Sequence, residues 1–268
     1  MTKLSNKKII VTGATGGIGI PLVKLLANEK AELFLFSSSM EKLQKLREEI
    51  DKTGSKINLI EADLSSSEGI KKAAAEISKI ADADILINLE GISYFGSLGL
   101  QKFEEIEKLY HVNLLAPTIF SQAVLPEMVK KRSGHIINIS SIFGSIAFPF
   151  FASYSASKAG MRGFSESLRR ELQDSGVKVS YVVPRAVKTA INEGLVTKLN
   201  EATKVKVDEA EDAARKILKK IKYPRSYSYL GFPESFFVRL NYLLPSLVDS
   251  ALAKTSDIAK RILMENSK

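Results

Sequence analysis

Short apolar runs rich in β-branched residues alternate with helical patterns along most of the chain, and no other feature limits the possible fold as much. The runs are KKIIVTG (7–13), AELFLF (31–36), KINLIEADL (56–64), DILIN (84–88), GHIINIS (134–140) and GVKVSYVVP (176–184). Between them, apolar residues at helical spacing begin near Ile18 and Met40, then recur near 68–80, 103–131 and Ala152–Ser175. Strands that are apolar on both faces belong to a parallel sheet covered on both sides. Right-handed crossovers wind such a sheet in both directions from its middle. The expected class is therefore α/β, a doubly wound parallel sheet in a single domain.

The pattern loosens after Pro184. Thr189 to Val207 is lysine-rich and ambiguous, a helix is expected near 208–221, and YSYLG (227–231) reads as a last short strand. From Phe232 onward, Phe236, Phe237, Leu240, Leu243, Leu244, Leu247 and Val248 recur at roughly helical spacing. The expected organisation is a main unit, 1–231, with an apolar or amphipathic helical extension, 232–268, packed on it. That extension fits a subunit contact, a cover over a pocket, or a segment lying on a membrane surface. Peripheral membrane contact is the less favoured of these, because a helix packed on its own domain carries the same pattern.

The chain has no cysteine, so disulfide, thiolate and Cys-zinc chemistry are unavailable. Its two histidines, His111 and His135, stand in no metal-ligand spacing, and no metal is expected. The start, MTKLSNKKIIVTG, lacks the long apolar core of a signal peptide, which points to a cytoplasmic protein. The net charge of +9 raises nucleic acid as a partner, but the lysines are interspersed with glutamates, as in EKLQKLREEI (41–50). Solvated helix faces are the simpler reading, and no nucleic-acid partner is expected.

The first strand runs into TGATGGIG, Thr12 to Gly19, just before a helix. Glycines there allow a tight turn, and the amides and positive dipole at a helix start attract a pyrophosphate. The spacing of Gly13, Gly17 and Gly19 is not GxGxxG, and plain strand-to-helix punctuation remains an alternative. The second strand ends in Ser37, Ser38 and Ser39, with no carboxylate to repel a 2′-phosphate. This favours NADPH over NADH while leaving NAD possible; the serines equally suit a cap for the helix at Met40.

Tyr154 and Lys158 stand four apart on an expected helix, so they share one face. An ammonium beside a phenol lowers its pKa toward working pH, letting Tyr154 exchange a proton with a carbonyl or alcohol oxygen. Ser141, at the end of an earlier strand, would hold that oxygen by a hydrogen bond. The carboxyl ends of the strands are where a doubly wound sheet binds ligands, so these groups converge.

In order along the chain, TGxxxGIG (12–19), ADL with Asp63, HVN with Asn113, NISS ending at Ser141, YSASK with Tyr154 and Lys158, and PxxVKT with Pro184, Val187 and Thr189 resemble the short-chain dehydrogenase/reductase family over roughly residues 7–190. The resemblance implies a Rossmann-type NAD(P)(H)-dependent oxidoreductase that moves hydride between nicotinamide and a carbonyl or alcohol. It implies Tyr154 as general acid/base, Ser141 as the carbonyl-positioning hydroxyl, Lys158 on the nicotinamide ribose, and Asn113 linking Lys158 to a proton relay through a helix irregularity. Cofactor contacts would come from Gly13, Thr15, Gly17, Ile18, Gly19, Ser37, Ser38, Asp63, Leu64, Asn88, Gly91, Pro184, Val187 and Thr189, together with Tyr154 and Lys158. A homodimer or homotetramer through the long helices is also implied.

Two positions depart from the family pattern. NLEG, with Glu90, replaces NNAG, and Arg185 replaces the usual glycine after Pro184. Glu90 would put a carboxylate near the cofactor, and Arg185 would shift its loop or reach toward an anionic substrate. Between Ser141 and Tyr154, Phe143, Ile146, Phe148, Phe150 and Phe151 would wall a site for a hydrophobic ketone or acyl-type substrate, with Tyr94 and Phe95 beside them. The region after Thr189 would form a mobile substrate lid, and its Lys198, Lys204 and Lys206 would either attract an anionic substrate or be ordinary surface lysines. The competing reading is a dinucleotide-binding sensor or scaffold without turnover.

Overall fold

The computed structural model describes residues 1–266; residues 267 and 268, the end of the expected extension, lie outside the described residues. Seven strands, β1 (Lys8–Val11), β2 (Glu32–Ser37), β3 (Ile57–Glu61), β4 (Ile85–Asn88), β5 (Gly134–Ile139), β6 (Val177–Val183) and β7 (Tyr227–Tyr229), form one sheet in the order β3-β2-β1-β4-β5-β6-β7. Every pairing is parallel. The order reverses between β1 and β4, so a crevice opens beyond the carboxyl ends of these two strands.

Helices α1 (Gly19–Asn28), α2 (Met40–Ile50), α3 (Ser67–Ser78), α4 (Phe103–Tyr110), α5 (Ala116–Lys130) and α6 (Ala152–Glu171) follow the successive strands, and α8 (Ala210–Lys222) precedes β7. On one face Leu22, Val23 and Leu26 of α1 and Ala214, Ile217 and Ile221 of α8 pack over Ile9, Leu33, Ile87 and Ile137. On the other, Ile70 of α3, Phe120 and Met128 of α5 and Leu168 of α6 cover Ile10, Leu86 and Ile136. The inner strands β1, β4, β5 and β6 thus bury both of their faces, which is why their sequences hardly alternate.

The expected helix near 103–131 is continuous from Phe103 to Lys130, but His111–Leu115 makes a π turn between α4 and α5. By length and composition this segment is apolar enough to cross a membrane, yet Ala116, Phe120, Val124 and Met128 are buried within the fold. The ambiguous stretch after Pro184 contains a 3₁₀ turn, Ala190–Asn192, and one short α-helix, α7 (Leu195–Ala202).

The tail forms α9 (Glu234–Leu243) and α10 (Pro245–Glu265). Val238 and Val248 pack on Ile146, while Ala259 and Ile262 join the cluster of Leu199 and Phe151. Asn241 adds a hydrogen bond from Nδ2 to the Ser145 carbonyl at 3.1 Å. The tail therefore closes over the far side of the crevice. Its outer face leaves Phe232, Phe236, Leu243 and Leu247 exposed.

Candidate active site

The turn after β1 is shaped by steric necessity. Gly13 has a left-handed φ of 64°, and a Cβ there would lie 2.8 Å from the Glu90 backbone nitrogen. A Cβ on Gly17 would overlap the Thr189 side chain, and one on Gly19 would overlap the Gly13 carbonyl. The turn therefore lies flat between the ends of β1 and β4, with its backbone open to a cavity of about 990 Å³. That cavity runs from Gly13, Thr15, Gly17, Ile18 and Gly19, past Asp63, Leu64 and Gly91, to Pro184, Val187 and Thr189.

Ser37 and Ser38 also line it, and the Thr15 and Ser37 hydroxyls bond to each other. Ser39 does what the capping alternative expected, accepting the Lys42 N–H at 3.3 Å at the start of α2. The Asp63 carboxylate accepts from the Ser65 N–H and hydroxyl, both at 2.9 Å, which holds its pKa below the ordinary value.

One expected contact needs correcting. Asn88 does not reach the cavity: its side chain points to the other face of β4 and donates from Nδ2 to Oδ1 of Asn138 at 2.8 Å. Side chains alternate along a strand, so at this end Leu89, Glu90 and Gly91 carry the cavity wall instead.

Tyr154 and Lys158 are both buried on α6, with Nζ of Lys158 5.9 Å from the Tyr154 ring centroid. Ser141 caps the short turn after β5 and accepts the Phe143 N–H at 3.2 Å. Burial pushes the Tyr154 phenol up, and the hydrogen bond with Ser141 opposes this. The direction is thus opposite to the lowering expected from the Lys158 ammonium. Lys158 itself is pulled down to about 8 by burial, against which the charge of Glu90 acts.

Asn113 sits in the π turn behind Lys158. Its Nδ2 donates to the Ile92 carbonyl at 2.9 Å and to Ser157 Oγ at 3.0 Å, and its Oδ1 accepts the Ile92 N–H at 2.9 Å. It thereby locks the segment after β4 onto α6.

Phe143, Ile146, Phe148 and Phe151 line the cavity beyond Tyr154, joined by Leu240, Val248 and Leu252 of the tail. Tyr94, Phe95 and Phe150 stand one layer back: Phe95 stacks on Phe151 at 4.8 Å between centroids, and all three belong to the packed aromatic cluster. Phe150, expected in the wall, packs behind it with Tyr94 and Phe95. Lys204 and Lys206 line the cavity, whereas Lys198 bonds Asn266 at 3.3 Å.

Arg185 borders the cavity, but its guanidinium is held by carboxylates. Its Nε donates to Asp208 Oδ1 at 2.8 Å, and Nη1 stands 3.9 Å from Glu234 at the start of α9. Lys42, which sequence reasoning missed, lines the cavity one turn into α2 beside the serines. Its signal was a lysine three residues after the helix cap.

A family model described as short chain dehydrogenase matches residues 7–200. The chain belongs to the short-chain dehydrogenase/reductase family. It is 34% identical over 201 residues to dehydrogenase/reductase SDR family member 7B of Mus musculus, a match covering 72% of this chain and 62% of that protein. A short-chain dehydrogenase from Sphingobium yanoikuyae, solved with NADPH, superposes with a TM-score of 0.79 at 26% identity, over 91% of this chain and 95% of that one. A family member from Burkholderia phymatum, solved with NAD, reaches a TM-score of 0.81 at 22% identity, covering 92% and 96%. For this short-chain dehydrogenase/reductase, a nicotinamide dinucleotide suits the cradle, because side chains are sterically excluded where its glycines meet neighbouring atoms.

Proposed function

We propose that this chain is an NADP(H)-dependent carbonyl reductase or alcohol dehydrogenase acting on a hydrophobic ketone or an acyl-type substrate. The observation that carries the reading is the convergence of Ser141 with the buried Tyr154 and Lys158 on one cavity, at the point where the polar cradle meets the phenylalanine wall. When bound, the dinucleotide supplies or accepts hydride at its nicotinamide. Gly13, Gly17, Gly19, Asp63, Val187 and Thr189 would hold it, with Ser37, Ser38 and Lys42 at its adenosine end. The two serines and the ammonium suit a 2′-phosphate, which supports NADPH over NADH.

The rest of the chemistry belongs to the protein. Ser141 Oγ donates a hydrogen bond to the substrate oxygen and so positions it against Tyr154 Oη. Tyr154, kept protonated by burial, passes its proton to that oxygen as a carbonyl is reduced. The ammonium of Lys158 steadies the negative charge that forms on the tyrosine. Phe143, Phe148 and the tail helices exclude water and select an apolar substrate. A raised phenol suits reduction better than oxidation, since reduction uses the proton that the residue already holds.

Fluorescence titration with NADPH and with NADH tests the cofactor, followed by a screen of hydrophobic ketones and acyl substrates. Binding of neither dinucleotide would overturn the reading. Self-association in the cytoplasm, through the outer faces of α4, α5 and α6, is part of the same proposal. Phe103, Leu115 and Val129 are exposed there, and light scattering of the purified chain reads the mass.

A further inference from the structure

Glu90 is a carboxylate buried in the wall of the active-site cavity, 8% exposed. Its Oε2 accepts from the Thr12 hydroxyl, while Oε1 is buried without a hydrogen-bond partner. Leaving such an oxygen unpaired is costly, so a group of this kind calls for a role. Its neighbour Gly91 passes directly beneath Lys158: a Cβ on Gly91 would stand 3.2 Å from Nζ of Lys158 and 3.5 Å from Oδ1 of Asn113. The chain thus sets a carboxylate one residue from the contact point of an ammonium that is itself 4% exposed. A buried ammonium with no counter-charge discharges readily.

We propose that Glu90 is a positioning residue that acts through Lys158: its buried carboxylate, anchored by Thr12, is the counter-charge that keeps the Lys158 ammonium protonated beside Tyr154. This rests on the reductase reading for its catalytic consequence but not for its electrostatics. The titratable side chains that bear on the pair are few among the described residues. Tyr154 shares α6 with Lys158, Asp63 at the end of β3 is exposed and tied to Ser65, and Arg185 beyond β6 is paired with Asp208 and Glu234. Glu90 acts on Lys158 through space and opposes the effect of burial on it.

The consequence is a defined pH window. Burial raises Glu90 to about 7 and lowers Lys158 to about 8. Below about 7 Glu90 is already neutral, so removing its charge changes little. Above that value its negative charge holds the proton on Lys158, and removing it lets the lysine discharge earlier.

The test is Glu90→Gln, which keeps the shape and removes the charge. The first readout needs no cofactor: carbon-13 NMR of the lysine ε-methylene, assigned with Lys158→Met, follows Lys158 across pH. The variant is expected to titrate at lower pH than the wild type; coincident curves would overturn the proposal. The second readout is turnover with NADPH. The variant should match the wild type within about twofold at pH 6 and fall roughly fivefold below it at pH 8, where one pKa step takes a required ammonium from about half to about a tenth protonated. A uniform loss at every pH would mark a structural role and overturn it.

If Glu90→Gln does not fold, the wild type alone decides. Coupled groups share their titrations, so Lys158 must show a second inflection near the pH at which Glu90 ionises, and a single smooth curve would refute the coupling. Absence of NADPH binding in the wild type, with the coupled titration intact, would sink the reductase reading and leave this inference standing.

Discussion

Arg185 donates from Nε to Asp208 Oδ1 at 2.8 Å, joining the loop after β6 to the residues just before α8. Both side chains are about 10% exposed, and Lys216 holds the other oxygen of Asp208 at 2.6 Å. The arginine that replaces the usual glycine is thus a strut of the substrate side, which Glu234 extends to the tail. Arg185→Gly should destabilise the protein by on the order of 3 kcal/mol, the cost of stripping one partner from a buried ion pair. Urea unfolding monitored by circular dichroism measures it, and an unchanged midpoint would refute the strut.

Tyr154→Phe removes the proton donor and leaves the ring. Turnover should fall by about 10²–10⁴-fold, the range for losing a general acid. NADPH affinity, read by fluorescence titration, should stay within about twofold, since the lost hydroxyl faces the substrate oxygen. Wild-type turnover in this variant would refute the mechanism.

The direction of the Tyr154 shift sets a pH profile. A phenol raised by burial is protonated at neutral pH, so reduction should hold its rate there and decline only on the alkaline side. Oxidation needs the phenolate and should climb with pH over the same range. Initial rates in both directions against pH decide it: parallel profiles would contradict the assignment.

Lys42→Ala tests the adenosine end. The ammonium is exposed, so its removal should weaken NADPH by only about fivefold, typical of a solvated charge contact, and leave NADH unchanged. Equal losses for both dinucleotides would place Lys42 away from a 2′-phosphate.

His135 is buried in β5, bonds Ser180 Oγ at 2.8 Å, and is lowered to about 4, first by burial and then by Lys178. The unfolded chain therefore binds more protons than the folded one between about 4 and the ordinary value of 6.5. Stability from this residue is present above 6.5 and is lost as pH falls through 4, amounting to roughly 3 kcal/mol. Glu90 has the opposite sign over part of that range, because its raised pKa favours the fold at low pH. Thermal melts of the wild type and His135→Gln at several pH values separate the two: the variant should lose less stability on acidification.

The sheet was legible because its inner strands bury both faces and so read as unbroken apolar runs. The glycine turn, Ser141, Tyr154 and Lys158 were legible because they occupy fixed places at the ends of strands or one helix turn apart. Asn88 was misplaced for a reason of parity, since one residue along a strand reverses the face. The partners of Glu90 and Arg185 lie 78 and 23 residues away, at Thr12 and Asp208, and no local pattern announces them. The tail offered three roles because an amphipathic helix carries the same stripe against its own domain, a second subunit or a bilayer. Only the packing of Val238 and Val248 on Ile146 reveals what its buried side covers.

The π turn at His111–Leu115 carries a consequence for how this chain tolerates change in length. A π turn holds one residue more than the α-helical path it replaces, and takes it up as a local bulge between α4 and α5. Deleting a single residue anywhere from 111 to 115 would restore a regular helix and every backbone hydrogen bond. It would also draw the bulge back into the helix, carrying Asn113 away from Ile92 and Ser157. In this segment the more regular helix is the one that loses its hold on the strand end beside Lys158, so a gap that an alignment scores as trivial removes the floor beneath that residue.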